Sequence, residues 1–118
     1  MLRAEAPNGH GHPWCGLYST LMLNPTPPQK LCDEKGRPYF LWDVDMTLET
    51  FQSRLSDPNP DVRAHAVGKL LRQARPDDAL TLVSLTQIRR DWDRVLRHLG
   101  KRRAFWSWLM PELERRAA

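Results

Sequence analysis

The chain has 118 residues, a formal net charge of +4, hydrophobic and charged fractions of 41% and 27%, and two cysteines. That length admits one domain at most, and a folded part of this size buries only about two-thirds of its unfolded surface, so a partner that covers apolar area would matter to it. Cys15 and Cys32 make no disulfide framework, no apolar run reaches the roughly 20 residues of a membrane helix, and the start lacks the charged-then-apolar order of a signal peptide; a soluble cytoplasmic protein with no membrane partner is expected.

The charge is uneven. Residues 89–118 carry nine Lys/Arg against four Asp/Glu, while the rest of the chain is close to neutral. A basic end suits an acidic protein surface or nucleic-acid phosphates, without choosing between them. Five tryptophans in so short a chain are a second departure from the ordinary.

Residues 1–32 hold most of the glycine and proline of the first third and show no helical or strand period, so a flexible N-terminal arm is expected there. Met22 reads naturally as a second start. His10, His12 and Cys15 are metal-ligand types, but a zinc site needs a fourth ligand and only Cys32 offers itself; no metal and no cofactor are expected. A helical domain is expected over 33–118. It opens with the turn Asp33-Glu34-Lys35-Gly36-Arg37-Pro38, followed by a short extended segment, Tyr39 to Trp42.

Thr47 reads as an N-cap with Glu49 in the first turn, and Leu48, Phe51 and Leu55 form one face of the first helix. Asp57-Pro58-Asn59-Pro60 stops that helix and starts the next, in which Asn59 caps, Pro60 takes the first position and Val62, Ala66, Leu70 and Ala74 form a stripe. Asp77 to Val83 predicts a short helix or helical turn. Ser84 and Gln87 form a capping box ahead of Ile88, Trp92, Val95, Leu96 and Leu99, which predict one amphipathic helix closed by a left-handed Gly100. Phe105, Trp108 and Leu109 mark a last helix running toward Pro111, with the tail Glu112 to Ala118 either extending it or fraying. The fold class is therefore all-α: a small bundle of four to five short helices behind an extended segment and a flexible arm. The stretch Leu55 to Arg63 with Ala66 resembles the inter-helix turn of a HEAT-type repeat, but no second copy follows.

Three constellations carry possible chemistry. Asp43 and Asp45 follow an apolar run and precede Thr47-Leu48, a pattern that resembles the first motif of HAD-like phosphohydrolases, with Asp43 as nucleophile and Asp45 as general acid/base. Such an enzyme needs a parallel sheet and further motifs, which the helical remainder does not supply. The preferred reading makes Trp42, Asp43 and Asp45 a structural anchor. Trp42 packs in the core, and the acids cap the first helix or pair with bases of the last two helices. The second set is basic: on one continuous helix Arg90, Arg94, Arg97 and Lys101 share a face, which could follow a phosphate backbone. The third is aromatic. Phe105 and Trp108 suit the core, while Trp106 falls on another side beside Arg102 and Arg103. Trp106, Arg102, Arg103, Arg97 and Arg94 are the expected partner-binding residues, with Trp106→Ala plus Arg102→Ala expected to weaken binding without loss of helix.

Gly36-Arg37-Pro38-Tyr39-Phe40-Leu41-Trp42-Asp43-Val44-Asp45, Val62-Arg63, Gly68-Lys69-Leu70-Leu71-Arg72-Gln73-Ala74, His98-Leu99-Gly100 and Phe105-Trp106 together resemble a group of small bacterial proteins. Their genes commonly lie beside those of AbiEii-type nucleotidyltransferase toxins. The resemblance spans about residues 33–110. It implies no catalytic residue, no enzyme activity and no small-molecule substrate. It implies an antitoxin-like module that binds and neutralises a nucleotidyltransferase toxin. The alternative is a DNA-binding repressor of its own operon, with operator DNA as partner.

Overall fold

The structure, a computed structural model, describes residues 23–117. Among them are seven α-helices and two 3-10 turns, and no strand. The helices are α1 (Pro28–Leu31), α2 (Leu48–Leu55), α3 (Pro60–Gln73), α4 (Pro76–Leu82), α5 (Leu85–Arg90), α6 (Trp92–Leu96) and α7 (Arg103–Ala117); the 3-10 turns are Tyr39–Leu41 and Gly100–Arg102. The fold is all-α, as its sequence pattern requires. None of these helices is long and apolar enough to cross a membrane.

Helix α3 is the axis. Ala64 and every residue from Ala66 to Leu71 are buried, more than one apolar stripe can supply, because α2, α4, α6 and both 3-10 turns pack around it. Its start is satisfied as the sequence requires: the Asn59 side chain accepts the Asp61 N–H at 2.9 Å and Pro60 occupies the first turn. Thr47 caps α2 by accepting the Thr50 N–H. The Ser84–Gln87 capping box closes in both directions. Gly100 adopts φ +54°, the left-handed conformation expected of it.

Three expectations are corrected, and one left open is settled. Residues 23–32 are not an arm apart from the domain. Leu23 and Leu31 pack on the core, and Asn24 and Thr26 donate backbone N–H groups to Asp77 and Asp78 of α4 at 2.9 and 2.6 Å. The expected arm over 1–22, with the His10, His12 and Cys15 set, lies outside the described residues. Tyr39 to Leu41 is a 3-10 turn rather than extended, since Phe40 and Leu41, adjacent in sequence, both enter the core; a strand would send them to opposite faces.

The long helix expected after Ser84 breaks at Asp91, whose φ of −114° and ψ of 33° are not helical. The cause is tertiary. Asp91 is buried, and its carboxylate accepts Nε and a terminal nitrogen of Arg63 at 3.0 and 3.1 Å, while Arg63 also donates to the carbonyls of Asp57 and Pro58. A bidentate pair of this kind outweighs the few tenths of a kcal/mol per residue of helix propensity. Finally, α7 runs through Pro111 to Ala117. The missing N–H and the ring clash cost a helix interior about 3 kcal/mol. Burial of Met110 and Leu113 on either side of Pro111 opposes that cost.

Candidate partner-binding surfaces

The segment 36–45 is built outward from α3. Gly36, at φ +78°, turns the chain, and the Asp33 carboxylate fixes the turn by accepting the N–H groups of Lys35 and Arg37 and Arg37 Nε, all within 2.9 Å. Phe40 then inserts against Phe51, ring centroids 5.5 Å apart, and Leu41 follows it into the core. Gln73 of α3 donates to the Phe40 carbonyl at 2.7 Å and to Asp43 at 3.2 Å. Lys69, itself buried, reaches Asp43 at 2.7 Å. That hydrogen bond from Lys69 holds the Asp43 carboxyl below its usual range, ahead of the opposing effect of desolvation. On the other flank Tyr39 donates its hydroxyl to Asp78 and accepts the Arg75 N–H.

Between these fixings stands Trp42. It is 77% exposed, not packed in the core as expected. Its backbone follows two buried residues in a tight turn, so the side chain points away from the interior they enter. Val44 and Tyr39 are also partly exposed, and together these residues border an open cleft of about 420 Å³ that also involves Lys30, Leu31, Arg37 and Pro38. Cys32 lines the same cleft; burial and the neighbouring Asp33 push its thiol up, which makes a poor nucleophile.

Asp43 and Asp45 anchor this segment, but to other partners than expected. Asp43 binds Lys69 of the central helix, Asp45 binds only Arg37 at 3.3 Å, and neither caps α2. The last two helices take no part. A HAD-like nucleophile sits at the end of a parallel strand, and the described residues contain none.

Helix α7 carries the second surface, with its faces exchanged relative to expectation. Trp106 is fully buried and donates Nε1–H to the Leu71 carbonyl at 2.9 Å, continuing through Met110 and Leu113 as the packed stripe. Phe105 and Trp108 are 41% and 63% exposed, with ring centroids 6.3 Å apart. The expected patch is therefore dismantled. Arg102 caps the end of α3 by donating to the carbonyls of Leu71 and Ala74 at 3.2 and 2.6 Å, and Arg94 binds Asp61 at 3.0 Å. Arg97 and Arg103 are exposed as expected. With Arg102 and Trp106 both holding α3, Trp106→Ala plus Arg102→Ala would damage the fold, not a surface.

The break at Asp91 also dissolves the continuous basic face. Arg89 turns to Glu114 with bonds of 3.0 and 2.6 Å and lies 4.8 Å above the Trp92 ring. Trp42 and Trp108 are the residues sequence reasoning missed. The available signal for Trp108 was the spacing of Trp106, Met110 and Leu113, an apolar stripe that crosses Pro111. No family model, curated protein or solved structure matches the chain significantly.

Proposed function

We propose that this chain is an antitoxin-like binding module that neutralises a nucleotidyltransferase toxin by direct protein–protein contact, with Trp42 and Trp108 as its anchors. One observation carries the binding reading: a 77% exposed Trp42 on a segment held from both sides, by Lys69 and Gln73 at Asp43 and by Asp78 at Tyr39. An indole left in water is a standing cost unless something covers it, and tryptophan leads the residues that dominate interface energy. A backbone fixed in advance loses little further entropy on binding. The partner class rests on the sequence resemblance over about residues 33–110. The pairing of Arg63, Arg89 and Arg94 with Asp91, Glu114 and Asp61 takes basic groups away from the operator-binding alternative.

Co-expression with an AbiEii-type nucleotidyltransferase, affinity capture and titration of the pair test this. Trp42→Ala is expected to weaken the complex by about 2 kcal/mol, roughly 30-fold, with an unchanged circular dichroism spectrum. Capture of operator DNA in place of the nucleotidyltransferase, or an unaltered affinity in both Trp42→Ala and Trp108→Ala, would overturn the proposal.

A further inference from the structure

His65, Gly68, Lys69 and Arg72 recur at three- and four-residue steps and so share one face of α3. Gly68 lets the chain after α6 come down on that face. A Cβ at position 68 would lie 2.4 Å from the Cβ of His98 and 3.4 Å from the Val95 carbonyl oxygen. His98 is thereby set against His65, ring centroids 5.2 Å apart and the planes nearly perpendicular at 77°. Gly100 receives Arg72 in the same way, with Cδ of Arg72 standing 3.4 Å from where a Cβ would be. Arg54 joins from α2. His65, Arg72 and Arg54 are exposed and His98 is half-buried.

Among the described residues no carboxylate pairs with His65, His98, Arg72 or Arg54, while Lys69 beside them is held by Asp43. Partial burial, and then the neighbouring His98, Lys69, Arg72 and Arg54, hold the His65 imidazole below the ordinary range. Of the carboxylates near this face, Asp61, one turn earlier on α3, binds Arg94, Asp43 binds Lys69, Asp57 accepts the Asn59 N–H, and Asp93 is exposed on α6. Two guanidiniums beside two imidazole donors form a cationic, donor-rich face, and an oxyanion seated among them gains charge-assisted hydrogen bonds.

We propose that the His65, His98, Arg72 and Arg54 face binds the phosphodiester backbone of single-stranded RNA, independently of the aromatic surfaces. Planar cationic and imidazole groups serve a splayed strand twice, as phosphate donors and as platforms on which bases stack. Duplex readout fits poorly. A recognition helix must enter a major groove, and α3, which carries this face, is buried along Ala64 and Ala66 to Leu71. Protonation of His65 adds charge to the site, so a bound phosphate favours it and affinity rises as pH falls.

The test is anisotropy of a fluorescein-labelled, mixed-sequence single-stranded RNA of about 15 nucleotides, titrated with the full chain at low salt. Arg54→Glu with Arg72→Glu is expected to weaken binding about tenfold or more and to lower the salt slope by roughly one unit. Arg54→Gln and Arg72→Gln, singly, provide milder changes at exposed positions should the double reversal disturb the fold. Arg116→Glu, an exposed reversal on α7, is expected to change affinity by less than about twofold. His65→Gln is expected to abolish the tightening as pH falls below about 6.5. Absence of binding, equal weakening by Arg116→Glu, or equal competition by duplex DNA or polyglutamate would overturn the inference. None of these outcomes bears on capture of the protein partner through Trp42.

Discussion

Gly68→Ala sets two known effects against each other. In a helix interior, glycine to alanine ordinarily stabilises by about 1 kcal/mol, because glycine has more backbone freedom to lose. Here the new Cβ would meet the Cβ of His98 at 2.4 Å and the carbonyl of Val95 at 3.4 Å. Carbon atoms settle at about 3.5–4.0 Å, so the two must part by more than about 1 Å. A Cβ cannot escape by changing rotamer, so the chain after α6 has to move off α3, and Val95 and Leu99, both fully buried, move with it. Forced repacking of this kind costs about 1–3 kcal/mol, which exceeds the propensity gain once the lost burial is added. A net loss of about 1–2 kcal/mol is expected in urea unfolding followed by circular dichroism. The companion variant Gly68→Ala with His98→Gly removes the opposing carbon and is expected to be less destabilised than the two single changes added together. A Gly68→Ala protein more stable than the parent by about 1 kcal/mol would refute the close seating of α3 against His98.

Trp106→Phe keeps a ring in the core and removes one of the two donors to the Leu71 carbonyl, Arg102 remaining, and should cost about 1 kcal/mol, whereas Trp106→Ala should cost about 3–5 kcal/mol and leave little folded protein; thermal melts separate the two. Pro111→Ala restores an N–H to an exposed site within α7 and should raise the melting temperature, by up to about 3 kcal/mol of added stability. Stability should fall in two acid phases. The His65 imidazole is depressed in the fold, so the unfolded chain takes up its proton first, and stability complete above about pH 6.5 declines below it. The depressed carboxylates of Asp43 and Asp91 contribute above about pH 4 and lose their contribution as pH falls further. Urea midpoints measured across pH should show the first phase vanish in His65→Gln while the second persists.

Local chemistry reports itself well in this chain. Thr47, Asn59, the Ser84–Gln87 box and Gly100 each work through partners within four residues, so side-chain type and spacing suffice to place them. What depends on a distant partner was not legible. Asp91 falls within what reads as one continuous helix until Arg63, 28 residues away, turns it inward and splits the helix. Trp42 and Trp106 exchanged their expected places for a related reason. Both sit in apolar clusters, and which one enters the core depends on how the 3-10 turn and α7 meet α3, not on either residue's own hydrophobicity. The anchoring role of Asp43 was readable; its partner Lys69 was not.

The polar ties that fix the Trp42 segment have a kinetic consequence. Asn24, Thr26 and Tyr39 bond to residues 36 to 53 positions later, and Asp43 and Phe40 to residues 26 to 33 positions later. The bonds of Asp43 and Phe40 need α3 to be made, and those of Asn24, Thr26 and Tyr39 need α4 turned back beside it as well. Closing such loops spends chain entropy before any contact returns it. The helical hairpins around α3 should thus lead folding and the Trp42 segment should arrive last, so amide exchange near Trp42 should be the first to accelerate when the domain is weakened.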